Sequence, residues 1–143
     1  MDDLEIAKHT LYKKELTLAI VKNGEAMFET RSHRISGFLG AIEQFGDELE
    51  DASLADRVAG KAIALLCVYA KINEVYAEIL SKKAKTMFEQ NDIHHKWKEL
   101  VDNILDLNKS GVCPFEKAAA GTSDPKDAYR IFKALQESLK ACK

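Results

Sequence analysis

The chain has 143 residues and a net charge of −2, with a sequence pI of about 6.1. That is enough length for one domain with its own core and too little positive charge for a broad phosphate-neutralising surface. Its longest apolar run, 62–70, has nine residues, less than half of the roughly 20 that cross a bilayer. The acidic start Met1-Asp2-Asp3-Leu4-Glu5 is the reverse of a secretory leader. These features predict a single cytoplasmic domain over 1–143 that engages neither nucleic acid nor membrane.

In chain order, residues 3–15 read as an amphipathic helix, with Leu4, Ala7 and Leu11 on one side. Two apolar runs, 16–22 and 25–30, then flank Asn23-Gly24, which predicts a two-residue hairpin with a type I′ turn. A short helix follows over 35–45 around Ile35, Phe38, Leu39, Ile42 and Phe45, ending at Gly46. Residues 54–72 read as a long central helix, opened by a Ser53-x-x-Asp56 capping box and apolar all round from Ala62. A strand over 74–80, a helix over 82–90 and a half-exposed strand over 93–101 come next, and 102–112 reads as a loop. Asp124-Pro125 opens a final amphipathic helix with Ala128, Ile131, Phe132, Leu135 and Leu139 on one face. An initial hairpin followed by alternating strands and helices predicts a three-layer α/β/α fold around a mixed sheet of four to five strands.

The strongest chemical signal is Cys113-Pro114-Phe115-Glu116. Pro114 suits the first helical position and Glu116 the third, which puts Cys113 at the N-cap, where a helix dipole favours thiolate. Cys113 is therefore a candidate nucleophile or ligand anchor, and Glu116 either a proton acceptor beside it or a capping carboxylate. Asp56 carries the same ambiguity at the start of the central helix. Arg57 and Lys61, four apart on that helix, form a candidate phosphate or carboxylate pair, or a solvated face. Ser81-Lys82 follows a strand and opens a helix, so its amides and charge suit an anion, although a solvated helix start reads the same way. The glycine spacing around Gly60-Lys61 does not make a P-loop. Cys67 lies in an apolar stretch and reads as core, Cys142 as part of a frayed end, and His94-His95 fall on opposite faces of a strand.

The order of elements resembles the cytidine-deaminase fold. The stretch 53–62 together with Cys113-Pro114-Phe115-Glu116 resembles an uncharacterised bacterial and archaeal family, a domain of unknown function grouped with the cytidine-deaminase-like superfamily. Working deaminases hold zinc through H-x-E and P-C-x-x-C. Here no histidine has glutamate two residues on, and no two cysteines have the C-x-x-C spacing. The resemblance places those motifs near Asp56 and near Ser81-Lys82-Lys83-Ala84, so it implies a scaffold with neither metal nor other cofactor. It also implies a homo-oligomer. The expected function is binding of a small nucleotide-like or anionic ligand by Asp56, Arg57, Lys61, Ser81 and Lys82, near the Cys113 helix start. The alternatives are an enzyme with Cys113 as nucleophile and Glu116 handling protons, and a structural or regulatory dimerisation module.

Overall fold

The computed structural model describes residues 2–32, 35–104 and 113–141. Helix α1 (Asp3–Lys13) is capped by the Asp2 side chain, which accepts from Glu5 N at 2.9 Å. The hairpin joins β1 (Leu18–Lys22) to β2 (Glu25–Thr30). Asn23 and Gly24 both have positive φ, 54° and 81°, as a type I′ turn demands. Asp3 fixes this turn from outside: its two carboxylate oxygens accept from Asn23 N and Gly24 N, each at 2.9 Å. Met27 is left over where the β1–β2 register shifts between Ile20 and Val21, forming a bulge.

Helix α2 (Ser36–Phe45) ends on Gly46 at φ 51° and leads through a 3₁₀ turn, Gly46–Leu49. Next come β3 (Ser53–Ala59), α3 (Lys61–Ala70), β4 (Glu74–Ser81), α4 (Lys82–Gln90) and β5 (His94–Val101). Helices α5 (Pro114–Ala120) and α6 (Pro125–Ala141) complete the chain. The five strands form one mixed sheet in the order β2-β1-β3-β4-β5. β1 is antiparallel to its neighbours β2 and β3, while β3, β4 and β5 run parallel.

Helices cover both sides of the sheet. On one side α1 packs Leu4, Ala7 and Leu11 against Ala19, Val21, Ala55 and Tyr76. On the other, the remaining helices bury Leu18, Ile20, Leu54, Val75 and Ala77 beneath residues such as Phe38, Leu65, Phe88 and Phe132. Alternation along β1 and β3 thus feeds two separate cores, the period-2 logic of a strand packed on both faces.

The reading of 54–72 as one helix is corrected: its first third is the central strand β3, and the helix begins only at Lys61. A strand covered on both faces loses the polar alternation that marks an exposed one, and a short apolar run cannot be told from a buried helix by period alone. Ser53-x-x-Asp56 is therefore no capping box. Ser53 Oγ instead donates to Glu74 Oε1 on β4 at 2.7 Å. The other elements lie within two residues of the boundaries expected. For 102–112, only 102–104 fall among the described residues, and Cys142 lies outside them.

Replacing Asp3 by Ala removes the acceptor shared by both turn amides. Urea denaturation is expected to show a loss of about 1 kcal/mol, with the fold's circular dichroism retained.

Candidate functional site

The parallel strands β3 and β4 end side by side. Ala59 pairs with Leu80, so Gly60 and Ser81 leave the sheet as neighbours, each at a helix N-cap. Ser81 satisfies its own helix, its Oγ accepting from Ala84 N at 3.1 Å. Gly60 has no side chain with which to do the same. The N–H groups at the start of α3 are met from 55 residues away: Glu116 Oε2 accepts from Lys61 N at 3.1 Å, and Glu116 Oε1 accepts from Ala62 N at 3.0 Å.

This contact explains Gly60. A Cβ there would overlap Glu116 Oε1 and Cδ and approach Ile104 Cγ1 to 2.8 Å. The bare backbone is what admits the carboxylate. Burial pushes the Glu116 pKa above its usual value, opposed by the two N–H groups and by the charges of Lys83 and Lys61. A cavity of about 210 Å³ opens beside this carboxylate, lined by Ser81, Lys83, Asp102, Asn103, Glu116 and Lys117 among others.

Cys113 occupies the N-cap of α5 and Pro114 its first turn, as the tetrad predicts. The Cys113 backbone N–H donates to Ile104 O at 3.1 Å, so it is not offered to Glu116 and no capping box closes within α5. Pro114 and the helical phase that follows turn Glu116 toward α3 instead. Cys113 itself is only 7% exposed, within the larger apolar core.

The other expected ligand residues divide. Lys61 and Ser81 stand at the carboxyl edge, Lys61 through its backbone N–H. Lys82 opens α4, and its Nζ pairs with Asp102 at 2.8 Å; that pairing raises the Lys82 pKa and lowers that of Asp102. Arg57 does not share a helix face with Lys61, which corrects that expectation. It lies in β3 and serves α1: Nε donates to Leu16 O at 2.8 Å, Nη2 to Leu11 O at 3.2 Å, and Nη1 pairs with Glu78 Oε1 at 2.9 Å. Its guanidinium also lies over the Tyr12 ring, 4.7 Å from the centroid. Lys83 is the cavity residue that the sequence did not single out, though its place in the Ser81-Lys82-Lys83 run was visible.

Asp56 is likewise in β3 and not at a helix start. It is buried, its Oδ1 accepts from Val58 N at 3.3 Å, and its Oδ2 has no partner. The bond to Val58 turns a ladder donor inward, and the β3–β4 register skips Arg57 at that point. Desolvation raises the Asp56 pKa to about 7, against the lowering effect of two backbone N–H groups, and Asp56 in turn helps raise the buried Cys67 thiol. A second cavity, about 480 Å³, lies away from this edge among α2, α3 and α6, next to the stacked rings of Tyr69 and Tyr129.

The class is therefore an α/β/α domain with a five-stranded mixed sheet and a cavity at the carboxyl edge of its parallel strands. The family model described as TM1506, a domain of unknown function (DUF1893), matches residues 6–136, and the chain belongs to that family. It is similar to the crystal structure of a DUF1893 family protein, TM1506, from Thermotoga maritima. That likeness has a TM-score of 0.84 and 25% identity, over 92% of this chain and 88% of that one. Among curated proteins none matches.

Two outcomes follow from the geometry. Gly60→Ala drives the Glu116 carboxylate off the α3 start, and chemical denaturation is expected to register a loss of about 2 kcal/mol or more, the scale of a charge-assisted hydrogen bond. Asp56 has a folded-state pKa above its unfolded one, so it favours the native state below the unfolded value of about 4. That contribution is lost as pH rises through about 7. Relative to Asp56→Asn, the wild type should therefore lose stability between about pH 4 and pH 7, by up to about 1.4 kcal/mol per pH unit. Parallel stability profiles for the two proteins would contradict this.

Proposed function

We propose that the chain is a binding protein for a small anionic molecule, held in the cavity between the carboxyl ends of β4 and β5 and the start of α5. The carrying observation is the convergence there of the α3 start, the Ser81 N-cap and the Lys83 ammonium, with a carboxylate already bound at one end of the cavity. Ligands of open α/β sheets collect at such carboxyl edges, and helix starts with nearby lysine charge favour anions. At about 210 Å³ the space is below the usual range for drug-sized ligands. It suits a small acid better than a nucleotide.

The cytidine-deaminase-like assignment belongs to the same reading. Its support is the order of elements together with the helix starts that follow two parallel strands. With the central helix beginning at Lys61, the position the resemblance gave to H-x-E moves from Asp56 to Gly60-Lys61-Ala62, and the P-C-x-x-C position remains at Ser81-Lys82-Lys83-Ala84. Neither segment holds an imidazole, thiol or carboxylate, so these residues do not fit the zinc site of a working deaminase. Among the described residues, no group of three or more His, Cys, Asp or Glu side chains could hold a metal ion. The nucleophile reading of Cys113 draws less support, because its thiol lies in the apolar core.

Thermal unfolding at fixed ionic strength in the presence of malonate, succinate and inorganic phosphate tests the binding reading. At saturating ligand a rise of about 4 °C or more is expected for at least one of them, reduced or abolished in Lys83→Ala. No rise with any of the three, or a rise indifferent to Lys83→Ala, would count against this cavity.

A further inference from the structure

We infer that the start of α3 is a carboxylate subsite, and that Glu116 is an internal carboxylate which keeps it filled until the carboxylate of a small organic acid replaces it. This rests on the cavity being the ligand site and narrows the ligand from anions in general to carboxylic acids.

Three features carry the inference. The first is the fit: both Glu116 oxygens are engaged by successive backbone N–H groups, at 3.1 and 3.0 Å, a two-donor match for a planar two-oxygen group. The second is the floor. Gly60 leaves no side-chain atom under the carboxylate, and the space above its Cα is bounded by Glu116 and Ile104. A flat carboxylate occupies that slot; a tetrahedral phosphate is deeper and would press on both. The third is where the tenant comes from. A helix of this length could be capped by Ser, Asp or Asn at position 60, as α4 is by Ser81. Instead the cap residue is absent and the acceptor arrives from α5, along the wall of a cavity that also presents Lys83.

The contact also has a cost that a replacing ligand would lift. Desolvation opposes the Glu116 charge where it sits. A side chain released toward solvent recovers its hydration, while the incoming carboxylate inherits the two N–H groups and the Lys83 and Lys61 charges. Lys83 lines the cavity beside this slot, so a dicarboxylate could span from the α3 start to the ammonium. No bond is made or broken in the exchange; it is a competition between two carboxylates for the same donors.

The test is titration of Glu116→Ala and wild type with sodium acetate against matched sodium chloride, following the Lys61 and Ala62 amide resonances and the melting temperature. Glu116→Ala is expected to bind acetate about tenfold or more tightly than wild type, the factor that one charge-assisted hydrogen bond supplies. The largest amide shifts should fall at Lys61 and Ala62, with inorganic phosphate producing neither effect. Equal acetate affinities in the two proteins, shifts centred elsewhere, or phosphate binding as well as acetate would each overturn the inference. If Glu116→Ala does not fold, Glu116→Asp takes its place, since it keeps the charge but falls one methylene short of the N–H pair. The cavity reading fails or stands separately. Wild-type binding that depends on Lys83 but is indifferent to Glu116 would leave the cavity in place and remove the subsite.

Discussion

The structure turns on the unsatisfied N–H groups at the start of α3. That helix is buried along most of its length, so its first donors need an acceptor from within the protein. Gly60, at the N-cap, cannot supply one. Glu116 does, and in doing so ties α5 to the turn between β3 and α3. The same contact requires glycine at position 60 and brings the α5 start to the carboxyl edge of the sheet. One capping requirement thus links two distant segments, and its location is the candidate site.

The central strand β3 shows how a strand covered on both faces handles polar residues. Arg57 and Asp56 are adjacent and therefore point to opposite sides. Arg57 finds two backbone carbonyls, Glu78 and the Tyr12 ring, and becomes the fastening between α1 and the sheet. Asp56 meets an apolar core and a thiol, with one oxygen left unpaired. The guanidinium is compensated and stabilises the packing of α1. The carboxyl group is not, so it is held closer to its neutral form and makes the fold sensitive to pH.

Much of the architecture was readable because it is local. Asn23-Gly24 specifies positive φ at both turn positions whatever surrounds it. Ser81 and Pro114 mark helix starts through their own backbone chemistry, and the 3.6-residue pattern of α6 needs no partner to be seen. The misreading fell at Ser53–Ala59, where burial on both faces erases the period that distinguishes strand from helix. Two mistaken roles followed from it. Asp56 was placed at a helix start and Arg57 on a helix face, because both were judged by spacing along a helix that is not there. Lys83 was passed over since its neighbour Lys82 carries the same charge, and only the cavity separates them: Lys82 turns outward to Asp102 while Lys83 lines the wall.

By itself, the sequence determined a mixed α/β domain, a hairpin at its front, and a Pro-initiated helix carrying Cys113 and Glu116. Those follow from turn chemistry, capping and periodicity, all of which act over a few residues. Only the tertiary structure decided what Glu116 caps. Within α5, the Cys113 N–H is already taken by Ile104, whereas across the fold the Gly60 turn presents two free donors and room to reach them. Hydrogen-bond geometry over 55 residues of separation has no signature in local sequence. For that reason Cys113-Pro114-Phe115-Glu116 announced a helix start but not the site to which its glutamate belongs.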